Sequence, residues 1–376
     1  MKLSNLWIVL EDQVVYGDLI LFKNLISKIE LKEPCEHEPK RYVVPGFIDL
    51  HIHGANGYDA MDHDPQAIEK LACSLVKEGT TGFLPTTMTQ SEMNILKALS
   101  NISAYMNHQN PLASTVLGIH LEGPFIHEDA AGAQPKNCII KANTSTFKKF
   151  ENAANNQIKK VSIAPEFDES LQLMDYLRKQ NIIISIAHTK ATYPQVVCAI
   201  EHGTSSITHM FNAMTPLHHR DIGVVGAALL HDELHAELIL DKIHVSIPAA
   251  KLLLKSKGVS QVTLITDSMR AKYLSEGIYD LGGQMVYIEN GEARLADGTL
   301  AGSILKMNDG YKYLVQNLGL SLEDASKISS LNPAKQLGLD HIMGSISPNK
   351  IANLVILDDQ FTVLKTIIHG QIVYGV

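Results

Sequence analysis

The chain has 376 residues, with 32 basic and 40 acidic side chains and a formal net charge of −8. This length suggests two domains, or one large α/β barrel with an appendage. The acidic balance disfavours a nucleic-acid-binding surface, which needs clustered lysine and arginine. An anionic substrate would therefore need a local cationic pocket. Hydrophobic residues make up 45% of the chain, enough for a large core, and charged residues make up 19%, too few for long disordered tails.

The cysteines and the apolar runs indicate a cytoplasmic protein without a membrane partner. The apolar run at residues 6–10 is broken at once by two acidic residues and makes no usable signal peptide. The run at residues 222–230 is far too short to span a bilayer. The four cysteines form no Cys-x-x-Cys pair, which suits a reducing compartment better than a disulfide scaffold. They are Cys35, Cys73, Cys138 and Cys198.

Both ends of the chain are typical of β structure. Residues 6–10, 14–16 and 18–22 are short strand-like runs, separated by turn residues such as Gly17. Near the other end, strand-like runs lie at 352–357, 363–368 and 371–374, with His369-Gly370 as a hairpin turn. We expect residues 1–45 and 344–376 to pack together as one small β-sandwich domain.

The middle of the chain, residues 46–343, alternates apolar runs with helical patterns. Repeated strand-then-helix order implies a parallel sheet, and eight runs in about 300 residues favour a (β/α)8 TIM-type barrel over an open sheet. The apolar runs are 47–52, 81–84, 116–121, 161–164, 182–187, 206–208, 236–240 and 262–266. Helix-like stretches lie at 65–78, 91–106, 169–179 and 193–202, and a helix-rich segment at 306–337 follows the last strand.

Polar side chains end several of these strands. His51 and His53 project from the same face of the first strand, because alternate residues of a strand share a face. Taken alone, such a pair is better interpreted as two satisfied or exposed histidines than as metal ligands. Glu122, His188, His209 and Asp267, however, follow four further strands, and the carboxyl ends of a parallel barrel meet on one rim.

These residue types indicate a metal site rather than simple strand caps. Caps are mostly serine, asparagine, glycine or threonine, whereas imidazole and carboxylate are ligands of divalent metals. The predicted ligands are His51, His53, Glu122, His188, His209 and Asp267. Asp267 has a possible second role, since a carboxylate beside an activated water can accept its proton and deliver it to a leaving amine. The alternatives for Asp267 are a simple ligand or a helix cap.

Several motifs carry a family resemblance that covers the chain almost from end to end. Residues 45–54 (PGFIDLHIHG) resemble the opening barrel strand of the amidohydrolase superfamily. Within that superfamily the chain resembles the N-acetylglucosamine-6-phosphate deacetylases. The motifs that carry this closer resemblance are HLEGPF at 120–125, AHT at 187–189, THMFNAM at 208–214, ITD at 265–267, GTLAGS at 298–303 and SLNPA at 330–334.

The resemblance implies a metal-dependent removal of the acetyl group from an amino-sugar phosphate, in amino-sugar catabolism and cell-wall recycling. It implies one or two divalent cations (zinc, iron, manganese or cobalt) held by Glu122, His188 and His209, with His51 and His53 supporting the second. It implies Asp267 as the general base and then acid, with a metal-activated hydroxide as the nucleophile. It also implies a homodimer in which Arg220 binds the substrate phosphate, either within its own subunit or across the interface, and in which His244 helps to polarise the carbonyl. The implied substrate contacts are Asn212, Ala213, Arg220, His244, Leu300, Ala301 and Gly302.

The chain departs from the family pattern at two places. Where many members carry histidine, this chain has Ala133-Gln134, so the substrate contact passes to an uncharged amide. After Asp267 many relatives have small residues, whereas here Arg270 follows, which we interpret as a surface residue rather than an anion contact. His218 and His219 are expected to be ordinary loop residues.

Two rival interpretations remain from the sequence. One is an amidohydrolase with another substrate, such as N-acetylgalactosamine 6-phosphate or a cyclic amide. The other is a barrel-shaped scaffold that has lost its metals. Intact ligands at all five strand ends disfavour the scaffold, and the sugar epimer is not distinguished by these residues.

Overall fold

The computed structural model describes residues 1–34 and 39–375. Cys35 lies outside the described residues, and the other three cysteines, Cys73, Cys138 and Cys198, are free thiols. Within the described part of the chain, no helix combines the length and the apolar composition needed to cross a bilayer.

The strands, in chain order, are β1 (Lys2–Val9), β2 (Val14–Phe22), β3 (Leu25–Leu31), β4 (Tyr42–Pro45), β5 (Phe47–Ile52), β6 (Gly54–Ala55), β7 (Tyr58–Asp59), β8 (Thr80–Pro85), β9 (Thr115–Val116), β10 (Ile119–Glu122), β11 (Ile158–Ile163), β12 (Ile183–Ile186), β13 (Ser206–Ile207), β14 (His235–Ile239), β15 (Val262–Ile265), β16 (Gly277–Leu281), β17 (Gln284–Glu289), β18 (Glu292–Arg294), β19 (Leu354–Leu357), β20 (Val363–Ile368) and β21 (Gln371–Tyr374).

The helices are α1 (Ala67–Leu75), α2 (Glu92–Met106), α3 (Thr144–Ala153), α4 (Asp168–Lys179), α5 (Tyr193–Glu201), α6 (Gly223–Leu230), α7 (Ile247–Lys257), α8 (Met307–Gln316), α9 (Leu322–Ser326) and α10 (Asn332–Gln336). A π-helical turn, Lys327–Leu331, joins α9 to α10. The predicted helix-rich segment at 306–337 is confirmed.

Eight parallel strands form the predicted (β/α)8 barrel. Strands β10 to β15 pair in sequence order, and β5 pairs with β8. A bridge between Thr86 and His120 joins the two arcs, and the amide of Asp267 donates to the carbonyl oxygen of His51 at 2.8 Å across the closing edge. The predicted strand over 116–121 is broken, because Leu117 and Gly118 separate β9 from β10.

The outer helices cover the barrel with apolar faces. Helix α2 begins after Ser91, whose side chain accepts a hydrogen bond from the amide of Asn94, a capping contact that satisfies an otherwise unpaired backbone donor. Its residues Ile95, Leu99 and Ile102 are fully buried and recur every three or four positions. Burying each such side chain contributes roughly 1.5–3 kcal/mol.

The two ends of the chain build one seven-stranded sheet, in the order β21-β20-β19-β4-β1-β2-β3. The sheet is strongly curved, so that its edge strand β3 comes close to the segment that precedes β19. Ile26 in β3 is hydrogen-bonded to residues 349 and 350 of that segment. Its inner face encloses a separate apolar cluster that includes Ile8, Leu19 and Ile367. The predicted hairpin turn at His369-Gly370 is confirmed, with φ of 48° and 75°, as a two-residue type I′ turn requires.

Gly17 does not form the predicted turn. It lies inside β2, which runs continuously through two of the predicted strand-like runs. A Cβ atom at this position would lie 2.1 Å from the carbonyl oxygen of Glu30 in β3. The glycine therefore permits a close approach of two paired strands, which is the other common reason for glycine in a strand.

A three-stranded antiparallel insert, β16-β17-β18, lies between the last barrel strand and α8. It was not predicted. Its buried residues Leu281, Val286 and Ile288 pack against Met88 and Met269 from two barrel loops. The insert is thereby fixed beside the carboxyl-terminal mouth of the barrel.

Candidate active site

The six predicted metal ligands lie at the carboxyl ends of five barrel strands, and each is more than nine-tenths buried. They are His51, His53, Glu122, His188, His209 and Asp267. Three of them have left-handed backbone, with φ of 44° at His188, 32° at His209 and 48° at Asp267. Such backbone in a non-glycine residue costs roughly 1–3 kcal/mol and clusters at functional sites.

One group of potential ligands is formed by Glu122, His188 and His209. Their ligand atoms lie within 4.8 Å of one another. Oε1 of Glu122 is 3.4 Å from Nε2 of His188 and 3.3 Å from Nε2 of His209. The two imidazole nitrogens are 3.1 Å apart. Two nitrogens and an oxygen at this spacing can face a single cation.

A second group is formed by His51, His53 and Asp267, also within 4.8 Å of one another. Oδ1 of Asp267 is 3.4 Å from Nε2 of His51 and 3.1 Å from Nε2 of His53. Glu122 lies between the two groups, with Oε1 3.5 Å from His51 and Oε2 3.3 Å from His53. One carboxylate is therefore shared by both.

The hydrogen bonds of three imidazoles fix their tautomers. In each, Nδ1 faces an oxygen that only accepts: Glu237 Oε2 at 3.1 Å from His51, the Thr86 carbonyl at 3.1 Å from His53, and the Ala130 carbonyl at 2.9 Å from His188. Nδ1 must therefore carry the hydrogen. In the neutral ring the Nε2 lone pair is then free and turned toward the groups, the arrangement that metal-binding histidines adopt.

The charges of the site fit a divalent cation. Burial opposes positive charge on His53, but Asp267 and Glu122 outweigh it and raise the pKa of the imidazole to about 10. Burial likewise opposes negative charge on Glu122, yet the surrounding histidines, with His51 the strongest, hold the pKa of its carboxyl well below the usual range. Among the residues that the structure describes, Nε2 of His51 and Oε1 of Glu122 are buried and have no hydrogen-bond partner. Such atoms are rare and costly, and a cation between them would satisfy both.

A buried ion pair inside the barrel contacts His51 of the first barrel strand. Glu237 in β14 contacts Nδ1 of His51 and the ammonium group of Lys160, and both residues of the pair are almost fully buried. Burial would raise the pKa of Glu237, but Lys160 and His51 lower it to about 2. Sequence reasoning missed this pair. The available signal was weak, because β11 carries two adjacent lysines, Lys159 and Lys160, and only the structure shows that Lys160 is buried.

A cavity of about 530 Å³ opens above the two groups. Its wall includes His53, Glu122, His188, His209 and Asp267, so both groups open into it. Most of the predicted substrate contacts also line it, namely Ala133, Gln134, Asn212, Ala213, His244, Leu300 and Gly302. Ala301 does not, since its side chain is fully buried in the cluster beneath the insert.

His244 lies in the cavity wall with its Nδ1 atom 2.6 Å from Oδ2 of Asp241. Burial would lower the pKa of the imidazole, but Asp241 outweighs it and the pKa is raised. Asp267 raises this pKa further, and Arg294 acts in the opposite direction. His244 is therefore held in one orientation, and its charged form persists to higher pH than that of a free histidine.

Comparisons with known proteins agree with this architecture. The family model described as "Amidohydrolase family" matches residues 42–373. An N-acetylglucosamine-6-phosphate deacetylase of Bacillus subtilis is 41% identical over 99% of this chain and 96% of its own length. An N-acetylgalactosamine-6-phosphate deacetylase of Escherichia coli O157:H7 is 36% identical over 87% of this chain and 86% of its own. The crystal structure of N-acetylglucosamine-6-phosphate deacetylase from Thermotoga maritima superimposes with a TM-score of 0.91 at 35% identity, covering 100% of this chain and 99% of that one.

The chain belongs to the amidohydrolase family.

The insert of this amidohydrolase adds residues to the cavity that sequence reasoning missed. Leu281 and Arg294 come from the insert itself, and Thr299 from the loop that follows it. Lys190, two residues after His188, also lines the cavity. The short antiparallel strands of the insert gave no pattern that connected them to the barrel mouth, so Arg294 could not be found from its position in the sequence.

Arg220 lies outside the cavity of its own chain. It is exposed, and its guanidinium group lies 2.8 Å from Nε2 of His219. The preceding loop also exposes Leu217. The structure thus does not bring Arg220 together with the other predicted substrate contacts within one copy of this amidohydrolase.

Arg270 is neither a free surface residue nor a cavity residue. Its guanidinium group lies 2.9 Å from a carboxylate oxygen of Asp62 and within 3.8 Å of Asp59 and Asp280. It also donates to the carbonyl oxygens of Gly57 and Asp280. The interpretation as a surface side chain is therefore wrong, because Arg270 ties the insert to the loop after the first barrel strand.

Proposed function

We propose that this amidohydrolase removes the acetyl group from N-acetylglucosamine 6-phosphate, giving glucosamine 6-phosphate and acetate. The observation that carries the proposal is that two groups of potential metal ligands, one of which includes Asp267, open into the same cavity. The relatives from Bacillus subtilis and Thermotoga maritima are named for this reaction, and both match nearly the whole chain.

The metal sites follow from the donor sets. Glu122, His188 and His209 would hold one divalent cation, and His51, His53 and Asp267 a second, with Glu122 between them. A divalent cation here would lower the pKa of a bound water toward neutrality and polarise the acetamido carbonyl. Mixed nitrogen and oxygen donors accept zinc, iron, manganese or cobalt, and we propose one or two such ions per chain.

Asp267 moves the protons in this scheme. Burial alone would raise the pKa of its carboxyl, but His51 and His53 together lower it, so the carboxylate form is available. It takes a proton from the attacking water as the water oxygen bonds to the acetamido carbon. The same proton then passes to the sugar nitrogen as the carbon–nitrogen bond breaks.

The neighbouring side chains orient the sugar. The side-chain amide of Asn212 donates to the carbonyl oxygens of residues 209 and 210, which leaves its oxygen to accept from a sugar hydroxyl. The Ala213 carbonyl accepts from the Thr189 amide at 3.1 Å, which holds this residue in the cavity wall. Its own N–H is the group that we assign to the substrate. His244, held by Asp241, is placed to donate to the carbonyl or the phosphate. Leu300 and Gly302 close the far wall.

The phosphate requires cations, since the chain as a whole is acidic. Lys190 and Arg294 line the cavity of a single chain. We propose that Arg220 adds a third cation by reaching the cavity of a second copy in a homodimer, because it is exposed and lies outside its own cavity. We further propose that the enzyme works in the cytoplasm.

The galacto epimer is the second candidate substrate, since one relative is an N-acetylgalactosamine-6-phosphate deacetylase. The test measures acetate release from both sugar phosphates by the purified protein, together with its metal content. We expect faster release from the gluco epimer and loss of activity after treatment with a chelator. A protein that contains stoichiometric metal but releases no acetate from either compound would refute the proposal.

A further inference from the structure

Gln134 lies beside the carboxylate that the two metal groups share. Its side chain is 3% exposed, and its Nε2 atom donates to Oε2 of Glu122 at 2.9 Å. The family resemblance implies a substrate contact at this position. In the structure the side-chain amide also donates to Glu122 and accepts from Thr89, which points to a further task.

The orientation of this amide is fixed by a second hydrogen bond. The backbone N–H of Thr89 donates to Oε1 of Gln134 at 2.7 Å. A backbone N–H can only donate, so the amide oxygen must face Thr89 and the NH2 group must face Glu122. A flipped amide would lose both hydrogen bonds. Gln134 therefore presents a fixed donor to the carboxylate.

The two oxygens of Glu122 have different surroundings. Oε1 lies 3.3–3.5 Å from His209, His188 and His51. Oε2 has His53 at 3.3 Å and the Gln134 amide at 2.9 Å. The hydrogen bond from Gln134 thus acts on Oε2, the oxygen nearest His53 of the second metal group. The other oxygen, Oε1, faces both histidines of the first group and also His51.

We propose that Gln134 is a positioning residue that sets the rotation of the Glu122 carboxylate and so controls how tightly the second group, formed by His51, His53 and Asp267, holds its cation. In this role it acts through its hydrogen bond to Glu122. Without the donor the carboxylate can rotate away from His53, while Oε1 stays beside His188 and His209. The inference shares one assumption with the proposed function, namely that metal binds at these two groups.

The test counts bound metal without substrate. Wild type and the variants Gln134→Leu and Gln134→Met are dialysed against buffers of fixed free Zn²⁺, and zinc per chain is measured by elemental analysis. We expect two zinc ions per wild-type chain. In both variants the second half-saturation point moves to about 10- to 100-fold higher free Zn²⁺, the usual effect of losing a hydrogen-bond partner of a ligand, while the first is unchanged.

Gln284→Met is the matched control. Gln284 donates to the carbonyl oxygen of Ala133 at 2.5 Å, so this variant disturbs the same loop without removing the bond to Glu122. It should bind both zinc ions with wild-type affinity. A second control shows which of the two zinc ions is lost. The variant His53→Ala has an incomplete second group and should bind a single zinc ion. Adding Gln134→Leu to this variant should leave the affinity for that remaining zinc unchanged.

Four results would overturn the inference: a single zinc in wild type, two normal half-saturation points in both Gln134 variants, an equal shift in Gln284→Met, or a further loss in the His53→Ala background. Failure of the proposed function is distinguishable. A wild type that binds two zinc ions and releases no acetate leaves the metal result intact and refutes only the assigned reaction.

Discussion

Asp267 is the residue on which the proposed chemistry depends most directly. Replacing it by asparagine keeps the size of the side chain and removes the ability to carry a proton. We expect Asp267→Asn to lower kcat by about 10²–10⁴-fold, the usual contribution of a positioned acid or base, and to retain metal at Glu122, His188 and His209. Acetate release and metal content measured on the same sample check this, and near-normal turnover with full metal would exclude the role.

The cationic residues of the cavity give a prediction about phosphate recognition. Arg294 lines the cavity, and a lost charge-assisted hydrogen bond costs about 1.5–3 kcal/mol. Arg294→Gln should therefore raise KM for the 6-phosphate about 10- to 100-fold and leave kcat/KM for unphosphorylated N-acetylglucosamine unchanged. Arg178→Gln, on helix α4, is the control. An equal effect on both sugars would mean that Arg294 does not meet the phosphate.

His244 allows a prediction about pH. Asp241 raises the pKa of the imidazole despite burial, so the charged form persists to higher pH than in free histidine and is lost as pH rises through the raised pKa. Asp241→Asn removes this effect and lets burial lower the pKa. If the charged imidazole binds the substrate, the alkaline limb of kcat/KM should move to lower pH. An unchanged pH profile would show that the charge on His244 is not used.

At the scale of single elements, helix α2 allows a test of how much the packing of an outer helix on the barrel stabilises the fold. Leu99 is fully buried, whereas Met93 on the same helix is 64% exposed. Leu99→Ala should lower the free energy of unfolding by about 2–5 kcal/mol, and Met93→Ala by no more than about 0.5 kcal/mol. Denaturant unfolding of the two variants tests the difference, and equal values would contradict the packing described.

The strands also show what could be predicted from the sequence. The barrel and its ligands could be found because each ligand, such as Glu122 or His209, directly follows an apolar run, and parallel strands bring such positions to one rim. The insert could not, because its short strands join the barrel only through side-chain packing. The contact of Gln134 with Glu122 was missed for a related reason: it depends on how a loop folds back, which no local pattern records.

At the scale of the whole molecule, the terminal sheet and the barrel share one core. Val9, Val44 and Val355 from the sheet belong to the same apolar cluster as the barrel residues, and the Thr366 hydroxyl donates to the Val76 carbonyl at 2.7 Å. The division into two domains at residues 45 and 344 stays a prediction. These contacts indicate that the two regions are not independent of each other. Two regions that share a core should unfold together.

We therefore expect calorimetry to show a single unfolding transition for the full chain. A fragment of residues 46–343 should not fold stably, because its contact surface for the terminal sheet would be exposed to water. Circular dichroism and thermal melting of the fragment provide the check. A cooperative, native-like melt of the fragment alone would show that the terminal sheet is an independent appendage.

The left-handed backbone at His188, His209 and Asp267 has a consequence for laboratory evolution. Glycine adopts this conformation without strain, so replacing any of the three by glycine would relax the metal-free polypeptide while abolishing a ligand. Because bound metal stabilises the folded state, only selection for heat resistance of the metal-free chain, with no demand for turnover, would then favour inactive sequences. Directed evolution of this protein for thermostability without bound metal therefore needs a screen for catalytic activity at every round, since inactive variants would otherwise be enriched.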